Sequence, residues 1–293
     1  MKQLSLIIFF LLFFNAAQSQ GIKSYEYIGT LQLSSKQLIT YKISLTEISP
    51  GIIEGTSITD IYGKNRTQSV IRGTYNPKAN KISFYETKNI SSKSTTNKDE
   101  FCYVHVSDAG IKSVGGKTIL QGSFTGNYLD GKICAKGLIY LIATKDLEAL
   151  SNEMLTPETI KNEDSLKLIK DKVNNMLSKK ENSYLRGNDV LSVNSTAKEL
   201  TIEIWDGGEE EDNDAISILV NNKIFIDKID IKKERKTITI PIGEGTSQIK
   251  IVALSEGKSH PCTANILVKD EINSSPIVTV LKKGEFAIVE IKK

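Results

Sequence analysis

The feature that most constrains this chain is a succession of short strand-like runs separated by turn residues. From Tyr25 to Ala143 eight runs follow one another: YEYIGTLQL, LITYKISLTEI, GIIEGTSITDI, QSVIRGTYN, KISFYETKNI, EFCYVHVSD, KTILQGSFTGNY and KICAKGLIYLIA. Each is rich in β-branched and aromatic side chains, which suit a pleated, half-buried surface, and each is bounded by Gly, Asn, Pro, Asp or Ser. Links this short join antiparallel neighbours. Three of them carry turn chemistry: Ser49-Pro50-Gly51, Asn76-Pro77, and Asp130-Gly131, a tight hairpin signal. Glycines inside EGTS, RGTY and QGSF mark places where a sheet bends. The expectation over residues 20–145 is a mainly β, antiparallel eight-stranded meander, closed into a lipocalin-like barrel in preference to a sandwich.

Ahead of the first run, Lys2 precedes an apolar stretch from Leu4 to Phe14, then Ala16, Ala17, Gln18 and Ser19. Charged, apolar and small-residue regions in that order read as a signal peptide over 1–19. The apolar stretch is too short to span a bilayer. The chain is therefore expected to be exported, to the periplasm, cell surface or exterior, with no membrane insertion after signal cleavage. No cysteine stands near the cleavage point to carry a lipid.

Between Thr144 and Lys198 the composition turns to Lys, Glu and Asn. Thr156-Pro157 is a helix start, and Leu166, Ile169, Val173, Met176 and Leu177 recur as one apolar stripe. The segment ENSYLRGNDVLSVNST reads as exposed, so 146–197 is expected to be a helical and flexible linker. From Glu199 strand patterning resumes in seven runs: ELTIEIWD, AISILVNNKIFI, KTITIPI, SQIKIVALSE, TANILVKDE, PIVTVLKK and EFAIVEIK. Alternation such as Ile202, Ile204 and Ile249, Ile251 points to an immunoglobulin-like β-sandwich over 198–293.

Charge excludes some partners. A formal net charge of +3, with acids and bases mixed along the chain, leaves no electrostatic footprint for nucleic acid or an anionic membrane. Cys102 and Cys134 share the first domain, and in an oxidising compartment a bridge between them would contribute about 3 to 4 kcal/mol on the chain-entropy model. Two buried free thiols in strands is the other reading, and Cys262 is left over. No G-x-S-x-G elbow, phosphate loop or dinucleotide fingerprint occurs, and His105 and His260 stand apart from any nucleophile pattern. No enzyme activity is expected.

The densest feature is the loop WDGGEEEDNDAIS, from Trp205 to Ser217, where Asp206, Glu209, Glu210, Glu211, Asp212 and Asp214 put six carboxylates into nine positions. Such like charge is either solvated as an acidic turn or neutralised by a cation, and oxygen ligands on a loop suit calcium. The expected ligands are Asp206, Asp212 and Asp214, with Glu210 as an addition. The spacing is not that of an EF-hand.

The elements IEIWD, EDNDAISILVNN, KTITIPI and HPCTANILVKD resemble a small β-sandwich domain found at the end of many secreted bacterial proteins of unassigned function. There a Trp-Asp pair is followed by a D-x-D element, a strand, an Asn-containing turn and a later Pro-Thr-Ala element. The resemblance implies that Asp206, Asp212 and Asp214 occupy the acidic positions, while Asn213 stands where glycine is commoner. The first half is similar, more weakly, to exported β domains with a cysteine pair placed like Cys102 and Cys134. The function expected is an exported, non-enzymatic binding or structural module, calcium-stabilised, engaging a protein or glycan at the cell exterior. The alternatives are a small apolar ligand carrier working through the barrel interior, and, third, a hydrolase with carboxylates paired in space.

Overall fold

The computed structural model describes residues 23–61, 63–96, 100–156, 161–177, 182–208 and 210–293. The expected signal and Pro157 lie outside them. The eight N-terminal runs form β1 (Ser24–Leu33), β2 (Leu38–Ser49), β3 (Ile52–Thr59), β4 (Thr67–Asn76), β5 (Lys81–Ser92), β6 (Tyr103–Val114), β7 (Lys117–Asn127) and β8 (Ile133–Ala143). Each strand pairs antiparallel with the next, and β8 returns to β1 with Tyr140 opposite Thr30. The result is the closed eight-stranded barrel expected from the runs.

Alternation turns one set of side chains inward. Tyr41, Ile43, Leu45, Ile53, Ile71, Ile82, Phe84, Leu120 and Leu141 meet in a single buried cluster. Eight strands make a lumen narrow enough for side chains to fill. This cluster occupies part of it, and an open pocket of about 660 Å3 lies among Tyr25, Tyr27, Tyr75, Ile111 and Ala143 beside the helix that follows β8, whose Thr144 and Glu148 also line it. The predicted bends also have a physical cause. A Cβ at Gly55 would lie 1.9 Å from the Ser44 carbonyl oxygen, and one at Gly73 would lie 2.2 Å from that of Ser83. The neighbouring strand curls directly over each glycine, which only a residue without a side chain allows.

One carboxyl is buried among these apolar groups. Glu86 accepts hydrogen bonds from Tyr41 Oη (3.0 Å) and Ser57 Oγ (2.5 Å) on one oxygen and from the Val104 N–H (2.8 Å) on the other. Burial pushes Glu86 above the usual carboxylate range and Tyr41 well above the usual phenol range.

Cys102, just before β6, is bonded to Cys134 in β8 with their Cα atoms 6.0 Å apart, so the bridge reading holds over that of two free thiols. Cys262 is free and buried. Asp130-Gly131 does not make a two-residue hairpin. The connection runs over 128–132, closed by Tyr128 N–H to Lys132 O and Gly131 N–H to Tyr128 O, both 2.9 Å, with Gly131 at φ +83°.

β8 passes without a turn into α1 (Thr144–Met154), whose Asp146 accepts the Thr118 N–H at 2.6 Å. The second helix, α2 (Glu163–Leu177), starts later than Thr156-Pro157 suggested, where Asn162 Oδ1 accepts the Ser165 N–H at 2.8 Å as an N-cap. Of its stripe, Leu166 is buried, Val173 and Leu177 are half-buried and Ile169 is exposed.

The segment expected to be an exposed linker is instead built into the fold. It holds β9 (Ser183–Leu185) and β10 (Val190–Asn194), with Leu185, Leu191 and Val193 buried in the C-terminal core. Three apolar side chains are enough to fix such short strands once each has a sheet edge to join.

The sandwich comprises these two and β11 (Glu199–Trp205), β12 (Asp214–Val220), β13 (Lys223–Asp230), β14 (Lys236–Pro241), β15 (Ser247–Glu256), β16 (Cys262–Lys269), β17 (Ser274–Leu281) and β18 (Phe286–Lys292). One sheet runs β14-β11-β16-β17-β9. The other, β13-β12-β15-β18-β10, continues through β10 into β5, with Ser192 opposite Ser92 and Val193 opposite Ser91. Barrel and sandwich therefore share one continuous thirteen-stranded sheet. Arg66 Nη1 to Ser183 Oγ (2.8 Å), Asn194 Nδ2 to Asn89 O (3.0 Å) and the Lys93–Asp189 ion pair (2.7 Å) fasten the joint.

Candidate functional site

The acidic loop leaves β11 at Trp205 and enters β12 at Asp214. Trp205 is half-buried with the Arg235 guanidinium 4.2 Å above its ring, and Arg235 also reaches Glu203 Oε2 at 2.6 Å. The indole thus caps the end of the core beneath a cation, as befits an aromatic at a strand end. The next residue, Asp206, is buried. Its N–H donates to Lys232 O (2.7 Å), and its Oδ1 accepts the Gly208 N–H (2.7 Å), folding the chain back on itself.

Basic residues hold the outer part of the loop. The Glu211 carboxylate accepts the Lys233 N–H at 2.7 Å, and Lys233 Nζ donates to Gly208 O. At the inner end, Asp212 Oδ1 accepts the Asp214 N–H (3.3 Å), and Asp212 O accepts the Lys258 N–H (2.9 Å). Asn213 adopts φ +70°, the left-handed region that glycine favours and asparagine tolerates.

Asp214 is the most enclosed of the loop's described carboxylates, 1 % exposed. Its Oδ2 accepts the Thr263 N–H at 2.7 Å, Oδ1 is buried with no conventional hydrogen-bond partner, and the neighbouring Cys262 thiol donates weakly to the carboxyl. Burial first, and then the charges of Asp212 and Asp206, push its pKa up to about 6. The same surroundings act on the free thiol beside it: burial, then Asp214 and Asp212, push Cys262 up to about 12. A thiol so placed stays protonated, which makes it a poor nucleophile and a poor metal ligand.

Asp206 and Asp212 thus both act on Asp214, whereas Glu210 is exposed and Glu209 lies outside the described residues. Among the described residues no three His, Cys, Asp or Glu side chains gather into a cation-holding group. The chemistry this arrangement offers is a buried carboxyl with one spare oxygen, enclosed by backbone from the start of β16 that the sequence did not connect with the loop. An open groove of about 510 Å3 lies alongside, lined by Glu211, Asn213, Lys228, Asp230 and Ser255.

The histidines take structural places. His105 Nδ1 lies 3.1 Å from Asn127 Nδ2 on the barrel wall, and His260 Nδ1 lies 2.9 Å from Glu256 Oε2 at an exposed position. No protein-family model, curated protein or solved structure matches this chain.

Proposed function

We propose that this chain is an exported, non-enzymatic binding or structural module of the bacterial envelope or exterior, acting on a protein or glycan partner. The observation that carries the reading is the pairing of β10 with β5, which joins the barrel to the sandwich through one sheet. The Cys102–Cys134 bond suits an oxidising compartment. The alternative, a small apolar ligand carrier, needs a cavity of several hundred Å3. Tyr41, Phe84 and Glu86 are buried inside the barrel, and the space open to a ligand is the pocket of about 660 Å3 among Tyr25, Tyr27, Tyr75 and Ile111.

The test is to purify the protein from its native envelope, sequence its N-terminus and extract it with organic solvent for mass spectrometry. A mature chain starting near Gln20 and free of stoichiometric lipid is expected. One small apolar molecule per chain would move the assignment to carriage.

A second reading concerns the acidic loop, and the unpartnered Asp214 Oδ1 favours it. Calcium held at Asp206, Asp212 and Asp214, with Glu210 closing over it, would neutralise the loop and keep β11 and β12 in register. The resemblance of the C-terminal third to secreted sandwich domains belongs to this same proposal.

A further inference from the structure

The edges of the sandwich differ in how they are guarded. Among the described residues three strands end a sheet with one side unpaired: β9, β13 and β14. β9 is only 3 residues long. β13 breaks register with β12 on both sides of Ile218 and carries Asp227, Lys228 and Asp230. Short length, bulges and charges are what keep an edge from pairing with another chain. β14 has none of these guards between Thr237 and Ile240. Its register with β11 runs unbroken from Lys236 opposite Ile204 to Pro241 opposite Glu199, and the threonines and isoleucines between are uncharged strand formers.

One hydrogen bond fixes which main-chain groups of β14 face outward. Ile242 donates its N–H to Lys198 O at 2.7 Å, in register with the β11–β14 ladder. Antiparallel pairs alternate between bonded and unbonded, so Ile240, Ile238 and Lys236 also bond to β11, whereas Thr237 and Thr239 turn their N–H and C=O groups off the edge of the sheet. Both threonines are exposed, and Ile238 between them is half-buried against the sandwich core.

We infer that β14 pairs antiparallel with β14 of a second copy of this chain, across a two-fold axis at Ile238. Thr237-Ile238-Thr239 reads the same in both directions. Each Thr237 therefore meets the Thr239 of its mate and exchanges both main-chain bonds with it, while Ile238 meets Ile238. Every outward group of the two threonines gains a partner, and threonine pairs suit a sheet surface. Charge sets the direction. Lys236 begins β14, so a parallel pair would set it against its own counterpart. The antiparallel pair sends the two lysines to opposite ends, each toward the end of its mate that leads to Glu244, which is 99 % exposed even with Lys293 at 3.7 Å. So short a contact lies below the area that a stable dimer buries, and the dimer accordingly exchanges with monomer.

The test is sedimentation velocity on residues 20–293 from micromolar to millimolar concentration, where the wild type should pass from monomer to dimer. Thr239→Pro removes an N–H that β11 does not use and keeps the backbone extended, so the monomer should melt as the wild type does. Each dimer loses that bond twice, which should weaken dimerisation about tenfold or more. Ile238→Cys sets one thiol from each copy at the unbonded pair on the axis, where Cα atoms about 4.5 Å apart allow a disulfide. Lys236→Cys puts its thiol opposite Ile240 of the mate, out of reach of its counterpart. Oxidation should link the Ile238→Cys chains through residue 238 and leave the Lys236→Cys chains largely unlinked. A wild type that stays monomeric at millimolar concentration, a dimer that Thr239→Pro leaves intact, or equal linking of the two cysteine variants would overturn the inference.

Discussion

The sulfur of Cys102 stands where a side chain at Gly126 would have to be: a Cβ on Gly126 would lie 2.3 Å from Cys102 Sγ. Cys134 Sγ, bonded to it, would be 3.2 Å away. The disulfide therefore passes over β7 and fastens β6 to β8 across it, and glycine in the middle strand is what lets it cross.

Gly126→Ala is accordingly expected to destabilise the oxidised chain by about 2 kcal/mol, as overpacking at an enclosed site does. In a Cys102→Ala, Cys134→Ala background most of that loss should vanish, because the obstructing sulfur is gone. Chemical denaturation of the four chains closes the cycle. Equal losses in both backgrounds would place the strain elsewhere. Removing the bridge itself, which closes a separation of 32 residues, should cost about 3 to 4 kcal/mol on the chain-entropy model.

Glu86 offers a second test, because its three donors come from three strands. Glu86→Leu leaves Tyr41 Oη, Ser57 Oγ and the Val104 N–H without an acceptor and should cost about 3 kcal/mol or more. Glu86→Gln can turn its oxygen to Val104 and donate to the two hydroxyls, which rotate to accept, so it should cost clearly less. Glu86 is raised in the folded state, so its ionisation disfavours folding as pH climbs above its ordinary value, and Gln should flatten that part of the profile. Urea midpoints at several pH values decide it.

The barrel was legible because every one of its strands carries its own β-branched run and its own turn. The sandwich was legible for the same reason, except that AISILVNNKIFI reads as one run and folds as two. Asn221 and Asn222 both sit at positive φ, 49° and 63°, and make a hairpin turn that Asn-Asn signals only weakly beside Asn-Gly. β9 and β10 were not legible. SYL and VLSVN are too short to show a period, and their burial depends on edges supplied by β17, β18 and β5, distant in sequence. At the acidic loop the carboxylates were visible, but the enclosure of Asp214 depends on Thr263 and Cys262, which pairing in space brings alongside.

The joint between the units predicts the behaviour of Lys93 and Asp189. Lys93 Nζ meets Asp189 Oδ2 at 2.7 Å and Tyr184 O at 3.1 Å, and the same Asp189 oxygen accepts the Arg186 N–H at 2.9 Å. The lysine is largely buried, with 16 % of its side chain exposed, so its partner is not easily replaced by water. Asp189→Ala should cost about 2 kcal/mol and speed amide exchange at Ser192 and Val193 in β10, with Asp189→Asn between it and wild type. In the wild type, 183–194 should resist limited proteolysis. Early cutting there would show that β10 does not hold the two units together.

Asp214 yields the prediction that bears most directly on the acidic loop. Its pKa is about 6 in the folded chain against an ordinary 3.8, so between these values the folded state holds a proton that the unfolded state has released. Stability from this group is therefore greatest below about pH 4, falls as pH rises to about 6, and stays at its lower level above. Asp214→Asn keeps an oxygen for the Thr263 N–H and removes the charge. It should abolish that decline and raise the melting midpoint of the full chain at pH 7 in chelator. Calcium acts in the opposite way, by making the ionised carboxylate the favoured form. Extracellular calcium sites commonly bind at roughly 10^-4 to 10^-3 M, so a tenfold excess over the dissociation constant adds only about 1.4 kcal/mol. Millimolar calcium should raise the wild-type midpoint at pH 7 by a few degrees and leave the Asp212→Asn, Asp214→Asn variant unmoved. Identical wild-type midpoints in calcium and chelator, together with a gain from Asp214→Asn, would make this an uncompensated buried carboxylate at pH 7 and exclude the cation site.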